Sequence, residues 1–197
     1  MEQQDLPAGS LRARKQRRAR EAIIKAAHEL FAERGFDHVT VADIARHAEV
    51  GRATFFRHFG DKQEVVFGSD EQIDTVIAEA ARAPVDAPIG DSLPAALAHV
   101  RTIVVAFMER LTEEPEAYTR HEQLVARHAE LRARSLTKQR RYVEGLTELL
   151  REKGAERETA ALAAEIGLAC FYAGRTASGN DPARLAAAVD AAFGRLA

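Results

Sequence analysis

The chain has 197 residues, of which 46% are hydrophobic, with a formal net charge of -2, one cysteine and no tryptophan. A single cysteine excludes an intrachain disulfide framework, and no apolar run approaches the roughly 20 residues needed to cross a bilayer. Abundant Ala, Leu, Glu and Arg favour helices, so the sequence predicts an all-α, cytoplasmic protein without a membrane segment.

Positive charge is concentrated near the amino terminus. Residues 11–62 carry 12 Lys and Arg against 7 Asp and Glu, whereas residues 63–197 carry 16 against 21. A basic segment of this kind supplies affinity for a nucleic-acid backbone, although a charge run is also typical of a solvated tail. We expect residues 1–13 to form a disordered arm and the basic residues from Arg14 to Arg18, including Arg17 and Arg18, to contact DNA.

Three helices are predicted to form a first domain over residues 14–60. The first spans about Arg17 to Glu33, with apolar side chains at helical spacing, and ends at Gly35. A helix-turn-helix follows at about residues 40–59. Its first helix begins after Thr40, a residue that favours the N-cap position. Its second runs from about Arg52 to Phe59.

The second helix of this unit has two different faces. Phe55 and Phe59 are predicted to be buried, with Val50 entering from the turn. The opposite face is small, basic and able to hydrogen-bond, which suits a helix lying in the major groove of DNA. Its members are Ala53, Thr54, Phe56 and Arg57, flanked by Arg52 and His58.

The remaining residues, 61–197, are predicted to form a helical domain for ligand binding and dimerisation. Asp61 caps a long helix that we expect to reach Arg82, and a loop rich in Pro and Gly follows at residues 83–90. Helices are then expected at about 93–111, 115–128, 130–153, 156–177 and 182–196, giving nine in the whole chain. The last two predicted helices are rich in alanine. The alanines indicate either two tightly packed core helices or a homodimer interface built as a four-helix bundle.

The segments REAIIKAAHELFAERGF (residues 20–36) and TVADIARHAEVGRATFFRHFGDK (residues 40–62) resemble the first three helices of TetR-type bacterial transcription regulators. The resemblance covers about residues 16–65. It implies that Thr40, Arg52, Thr54, Phe56, His58 and Lys62 lie near DNA, with Thr40 and Lys62 on phosphates. It also implies a homodimer paired through its C-terminal helices, and a small molecule that releases the repressor from double-stranded operator DNA.

Three positions depart from the pattern of that family. Glu49 stands where the turn commonly has Gly, so the turn either strains a residue other than Gly or follows a different path. Gly51 replaces a Ser or Thr and weakens the N-cap. Phe56 replaces a Tyr, which keeps apolar contact but removes a hydrogen-bond donor.

We expect an apolar pocket in the C-terminal domain, because polar atoms on helices that must face inward need partners. The predicted lining residues are Val104, Phe107, Met108, Tyr118, His121, Leu124, Tyr142, Phe171, Tyr172 and Arg175. Residues 124–150 are similar to a TetR subgroup that binds acyl-coenzyme A-like ligands. This similarity makes acyl-coenzyme A esters the first candidate class and hydrophobic drugs or metabolites the second.

Catalytic and metal-binding patterns are not evident in the sequence. It contains no Gly-rich phosphate loop, HExxH or CxxC, so we expect neither an enzyme nor a cofactor. His121 and His128 lie seven positions apart, a spacing more typical of solvent-facing groups than of a metal site. Two functions remain: a ligand-responsive DNA-binding repressor, or a helical small-molecule-binding or protein-interaction module without sequence-specific DNA binding.

Overall fold

The computed structural model describes residues 8–68, 71–82 and 88–196. Within these ranges the chain forms α-helices and no strand, and one isolated bridge joins Gly90 to Ala155. The all-α prediction is therefore confirmed. The helices are α1 Ala8–Arg34, α2 Val41–His47, α3 Arg52–His58, α4 Lys62–Val66, α5 Glu71–Arg82, α6 Leu93–Leu111, α7 Pro115–Arg127, α8 Ala129–Glu152, α9 Arg157–Ser178 and α10 Pro182–Gly194. A single 3₁₀ turn, Phe36–His38, joins α1 to the segment before α2.

Two boundaries differ from the sequence prediction. The first helix begins at Ala8 rather than near Arg17, because Leu, Arg, Ala, Lys and Gln over residues 11–16 are strong helix formers. Residues 8–13 are therefore helical, and the prediction of disorder was wrong for them; residues 1–7 lie outside the described part. The helix predicted from Asp61 to Arg82 is not continuous, since α4 ends at Val66. The described residues consequently hold ten α-helices instead of nine.

The chain divides into two compact units, residues 1–68 and 69–197, which we call the N-terminal and C-terminal domains. The short helix α4 belongs to the N-terminal domain. Its Val65 and Val66 are buried, and the Arg20 guanidinium donates a hydrogen bond to the Gly68 carbonyl oxygen at 2.9 Å. A side chain at Gly68 would meet Ile24 at 2.7 Å, so α1 and this segment approach closely. The sequence-based boundary after residue 60 lies eight residues before the division observed.

The N-terminal domain has a core of large apolar side chains. Ile23, Leu30, Phe36, Ile44 and Phe55 are each no more than 2% exposed. They come from α1, the 3₁₀ turn, α2 and α3, so one core fixes the relative positions of these elements. Burying side chains of this size is worth about 1.5–3 kcal/mol each.

The C-terminal domain is organised around α9, which packs against α6, α8 and α10. Ala160, Ala163 and Ala164 are fully buried in its core. Small residues also bring α9 close to its neighbours: a side chain at Gly167 would meet Val100 at 2.4 Å, and one at Gly174 would meet the backbone of Val189. None of the described helices is long and apolar enough to span a membrane.

Candidate nucleic-acid interface and C-terminal polar cluster

A capping box fixes the start of α2. The Asp43 amide donates to the Thr40 hydroxyl oxygen at 3.2 Å, and the Thr40 amide donates back to the Asp43 carboxylate at 3.0 Å. The Thr40 hydroxyl also donates to the Asp43 carboxylate, and the bonds from this hydroxyl and from the Thr40 amide lower the pKa of the Asp43 carboxyl. Thr40 is exposed at the amino-terminal end of α2, and the predicted N-cap is confirmed. A phosphate contact by Thr40 stays a prediction.

In the turn between α2 and α3, Glu49 adopts a strained backbone conformation, which was one of the two alternatives predicted for this position. This residue has φ of 54°, in the left-handed region that favours glycine. The Val50 amide donates to the Ala45 carbonyl oxygen at 2.9 Å, which closes the turn. Gly51 occupies the N-cap of α3 without a side-chain hydrogen bond, as its lack of a hydroxyl predicts.

The two faces of α3 are arranged as the sequence predicts. Phe55 and Phe59 are buried, with ring centroids 5.9 Å apart. Phe56, the neighbour of Phe55, is 50% exposed. Of the other residues predicted to face outward, Arg52, Ala53 and Arg57 are exposed, whereas Thr54 and His58 are partly buried and the His58 Nε2 atom is buried. The Arg57 guanidinium donates to the Thr54 hydroxyl at 3.3 Å. The helix therefore presents a mixed basic and apolar surface on a rigid support.

Lys62 is held by the protein itself. Its ammonium donates to the carbonyl oxygens of Phe36 and Val39 at 2.9 and 3.1 Å, and it lies 4.3 Å from the centroid of the Phe36 ring. Two of its three donors are thus directed to the backbone just before Thr40. This geometry favours a positioning role for Lys62 over the phosphate contact that the family resemblance implies.

We expect Lys62→Met to lower stability by about 2 kcal/mol, because it leaves two carbonyl oxygens without a charged donor. Its affinity for DNA should fall through misplacement of α2, with the slope of log K against log salt unchanged. Thermal unfolding and salt-dependent binding check both statements. An unchanged melting temperature together with a slope reduced by about one unit would instead identify a phosphate contact.

Sequence analysis missed Arg12 beside this surface, and it included Lys15 only as one member of the basic segment from Arg14 to Arg18. Arg17 and Arg18 are exposed on α1, as are Arg12 and Lys15. Arg12 and Lys15, however, lie next to Arg57 of α3, where they line an open cleft of about 470 Å³. The sequence analysis did not place Arg12 and Lys15 in a helix. It did not show which face of α1 meets α3.

Tyr118 and Arg175, which were predicted to line a ligand pocket, belong to a hydrogen-bonded cluster with Glu122 and Asn180, which we call the α7–α9 cluster. The Tyr118 hydroxyl donates to the Asn180 side-chain oxygen at 2.7 Å. Asn180 donates to the Glu122 carboxylate at 3.1 Å, and Arg175 pairs with the same carboxylate. Burial raises the pKa of Tyr118. The polar atoms of Tyr118 and Arg175 have partners within the protein, so they do not by themselves require a cavity, and the pocket stays a prediction.

The other predicted lining residues divide by burial. Met108 is buried in the C-terminal core, and Val104, Phe107 and Phe171 pack against that core. His121, Leu124 and Tyr142 are partly buried, with the Tyr142 ring 6.3 Å from that of Phe107. Tyr172 is 39% exposed and hydrogen-bonds to Gln139 of α8, so it lies outside the buried core, and its contact with a ligand stays a prediction. No group of three or more metal-binding side chains occurs among the described residues.

Residues 23–67 match the family model described as "Bacterial regulatory proteins, tetR family". The chain is 48% identical over 64 residues to the HTH-type transcriptional regulator TcmR of Streptomyces glaucescens, a match that covers 32% of this chain and 28% of that one. It is 42% identical over 48 residues to HbdR of Aromatoleum sp., covering 24% and 21%. The chain thus matches about a quarter of the length of these curated relatives.

Solved structures extend the likeness of fold to the rest of the chain. FadR of Bacillus halodurans has a TM-score of 0.55 at 20% identity, covering 89% of this chain and 92% of that one. The SmeT–triclosan complex has a TM-score of 0.57 at 19% identity, covering 90% of each. FadR of Thermus thermophilus in complex with lauroyl-CoA has a TM-score of 0.51 at 22% identity, covering 88% and 91%.

The helices α2 and α3, joined by a tight turn and supported by α1, define a helix-turn-helix domain of the DNA-binding class. Most of this domain, residues 23–67, is the part of the chain that is similar to the TetR family of bacterial regulatory proteins.

Proposed function

We propose that the chain is a DNA-binding transcription regulator, a repressor that a small molecule releases from a palindromic operator. The observation that carries this proposal is the outward face of α3. Arg52, Phe56 and Arg57 are exposed, while Phe55 and Phe59 anchor the opposite face in the core. A helix held in this way presents charged and apolar groups to base edges without first having to be ordered. Since DNA is the partner, the protein acts in the cytoplasm.

The alternative, a helical binding module without DNA recognition, would have no use for two exposed arginines beside an exposed aromatic ring. The test compares Arg52→Ala/Arg57→Ala with a control of equal charge change in the C-terminal domain, Arg141→Ala/Arg157→Ala. Both control residues are exposed. We expect the α3 variant to leave heparin and duplex DNA at lower salt than the wild type, and the control to behave as the wild type does. Equal behaviour of the two variants would favour the alternative.

The outer faces of α9 and α10 support a homodimer. Leu162 is 51% exposed, and Ala161, Ala169 and Ala173 are exposed on the same helix. On α10 the exposed alanines are Ala183, Ala187 and Ala191. Some alanines lie in the core, and the exposed ones provide a surface on which a second copy could pack closely as a four-helix bundle. Light scattering should give a dimer for the wild type and a monomer for Leu162→Glu. A wild-type monomer at micromolar concentration would contradict the dimer.

The C-terminal domain is proposed to hold the effector. Partly buried apolar and aromatic side chains, among them Phe107, Leu124, Tyr142 and Phe171, favour an amphipathic or hydrophobic molecule over a small ion. Two proteins of similar fold are described in complex with such molecules, lauroyl-CoA in one and triclosan in the other. Acyl-coenzyme A esters are the first class to test and hydrophobic drugs the second. A ligand of either class should raise the melting temperature and lower the affinity for operator DNA, because release requires tighter binding to the state that does not fit DNA. If both classes leave both quantities unchanged, the sensor proposal fails.

A further inference from the structure

A cleft in the N-terminal domain joins the basic segment of α1 to the recognition helix α3. It has a volume of about 470 Å³ and is lined by Leu11, Arg12, Lys15, Gln16 and Arg57. Three of these five side chains are cationic. The residues contributed by α1 occupy positions i, i+1, i+4 and i+5, which fall on one side of a helix. The cleft is therefore formed by one face of α1 and one side chain of α3.

None of the residues that line this cleft is acidic. Arg12, Lys15 and Arg57 are all exposed, and the one polar contact of Arg57 within α3 is to the neutral Thr54 hydroxyl. Cations that line the same cleft repel one another, and an anion between them would offset this repulsion. A phosphate group satisfies this arrangement, since guanidinium and ammonium groups both donate strong hydrogen bonds to phosphate oxygens.

The position of Arg57 identifies the source of that phosphate. Arg57 belongs to the helix whose outward face carries the proposed base-reading residues, so an anion in the cleft lies at the edge of the surface that meets DNA. We propose that the cleft binds a backbone phosphate of the operator, with Arg12 and Lys15 of α1 and Arg57 of α3 as its ligands. This inference rests on the proposed function. It moves the contact from Arg17 and Arg18 to Arg12 and Lys15, of which Lys15 already belonged to the predicted segment from Arg14 to Arg18.

Because α1 is helical, only some of the cations in the basic segment face the cleft and can contact this phosphate. Residues of an α-helix rotate by about 100° per position, so Arg14 and Arg17 lie on the side of α1 opposite Arg12. A disordered arm would bring all of these cations to DNA alike. A helix brings only those on the face that lines the cleft. The pair Arg14 and Arg17 therefore provides a matched control, with the same charge, the same helix and similar exposure.

The test measures the salt dependence of binding to a duplex enriched from random DNA by the wild-type protein. Arg12→Ala/Lys15→Ala should lose about tenfold in affinity at physiological salt and reduce the slope of log K against log salt by about one unit, as expected for one phosphate. Arg14→Ala/Arg17→Ala should lose less than about threefold in affinity under the same conditions. Because Ala is a strong helix former, both variants should keep the wild-type melting temperature.

A second measurement tests whether the cations share one phosphate. Arg57→Ala should weaken binding more in the wild-type protein than in the Arg12→Ala/Lys15→Ala background, since ligands of one anion are not independent. Equal losses for the two α1 variants, or full additivity with Arg57→Ala, would overturn the cleft as a phosphate site while leaving DNA binding intact. Failure of the wild type to enrich any duplex would instead overturn the proposed function, and this inference with it.

Discussion

Gly174→Ala should be the most destabilising methyl addition in the C-terminal domain. A Cβ at this position would lie 2.4 Å from a Val189 methyl group and 2.6 and 2.7 Å from the Val189 Cα and amide nitrogen. Backbone atoms cannot move aside as the end of a side chain can, so α9 and α10 would have to separate. We expect a loss of about 2–3 kcal/mol and a fall in melting temperature of about 5–10 °C. Since the proposed dimer surface lies on these two helices, association should weaken as well.

Gly145→Ala provides the matched control for this prediction. Gly145 lies within α8, and a Cβ there would have one neighbour, an Ile77 methyl group at the ordinary contact distance of 3.6 Å. Replacing an unhindered helical Gly by Ala stabilises by about 0.5–1 kcal/mol. Thermal unfolding should thus move in opposite directions for the two variants. A melting temperature of Gly174→Ala at or above that of the wild type would contradict the close approach of α9 and α10.

Phe55→Ala and Phe56→Ala should separate stability from recognition at two adjacent positions. Phe55 is 0% exposed in the core of the N-terminal domain, and replacing a buried Phe by Ala costs about 3–5 kcal/mol. Phe56 is 50% exposed on the outward face of α3, so its replacement should change stability little. It should instead lower affinity for the operator about tenfold, because an exposed ring on this face is available to contact thymine methyl groups.

Chemical denaturation and DNA binding of the two purified variants test this expectation. Phe55→Ala should unfold at lower denaturant and lose DNA binding together with its fold. Phe56→Ala should keep the wild-type transition and lose binding alone. If Phe56→Ala binds every duplex as the wild type does, the exposed ring lies outside the interface and the orientation assigned to α3 is incorrect.

The N-terminal domain was predictable from sequence because local signals determine most of it. The Thr40 N-cap, the apolar spacing along α1 and the alternation of buried and exposed positions on α3 each act within a few residues. The left-handed conformation of Glu49 was one of two alternatives, and only the structure decided between them. The partners of Lys62 were not predictable, since Phe36 and Val39 lie 26 and 23 positions earlier in the chain.

The C-terminal domain was less predictable because its contacts join distant helices. Tyr118 and Asn180 are 62 positions apart, and no local pattern shows that one satisfies the other. Because this pairing was not visible in the sequence, polar side chains on inward-facing helices were taken to indicate a cavity. The exposure of Tyr172 was also not predictable. Because α9 has apolar and small residues on several sides, its sequence did not show which of them would be exposed. The helix bounds, by contrast, followed from Pro, Gly and N-cap residues and agree within one or two positions from α6 to α10.

Selection of bound sequences from random double-stranded DNA tests the central claim of a DNA-binding regulator most directly. The wild-type protein should enrich a palindromic site whose half-sites lie on one face of the duplex, about 34–36 Å or one helical turn apart, as two recognition helices of a dimer require. The Arg52→Ala/Arg57→Ala variant should enrich no such site under the same conditions. Absence of any enriched sequence with the folded wild-type protein, at low as well as physiological salt, would contradict the account.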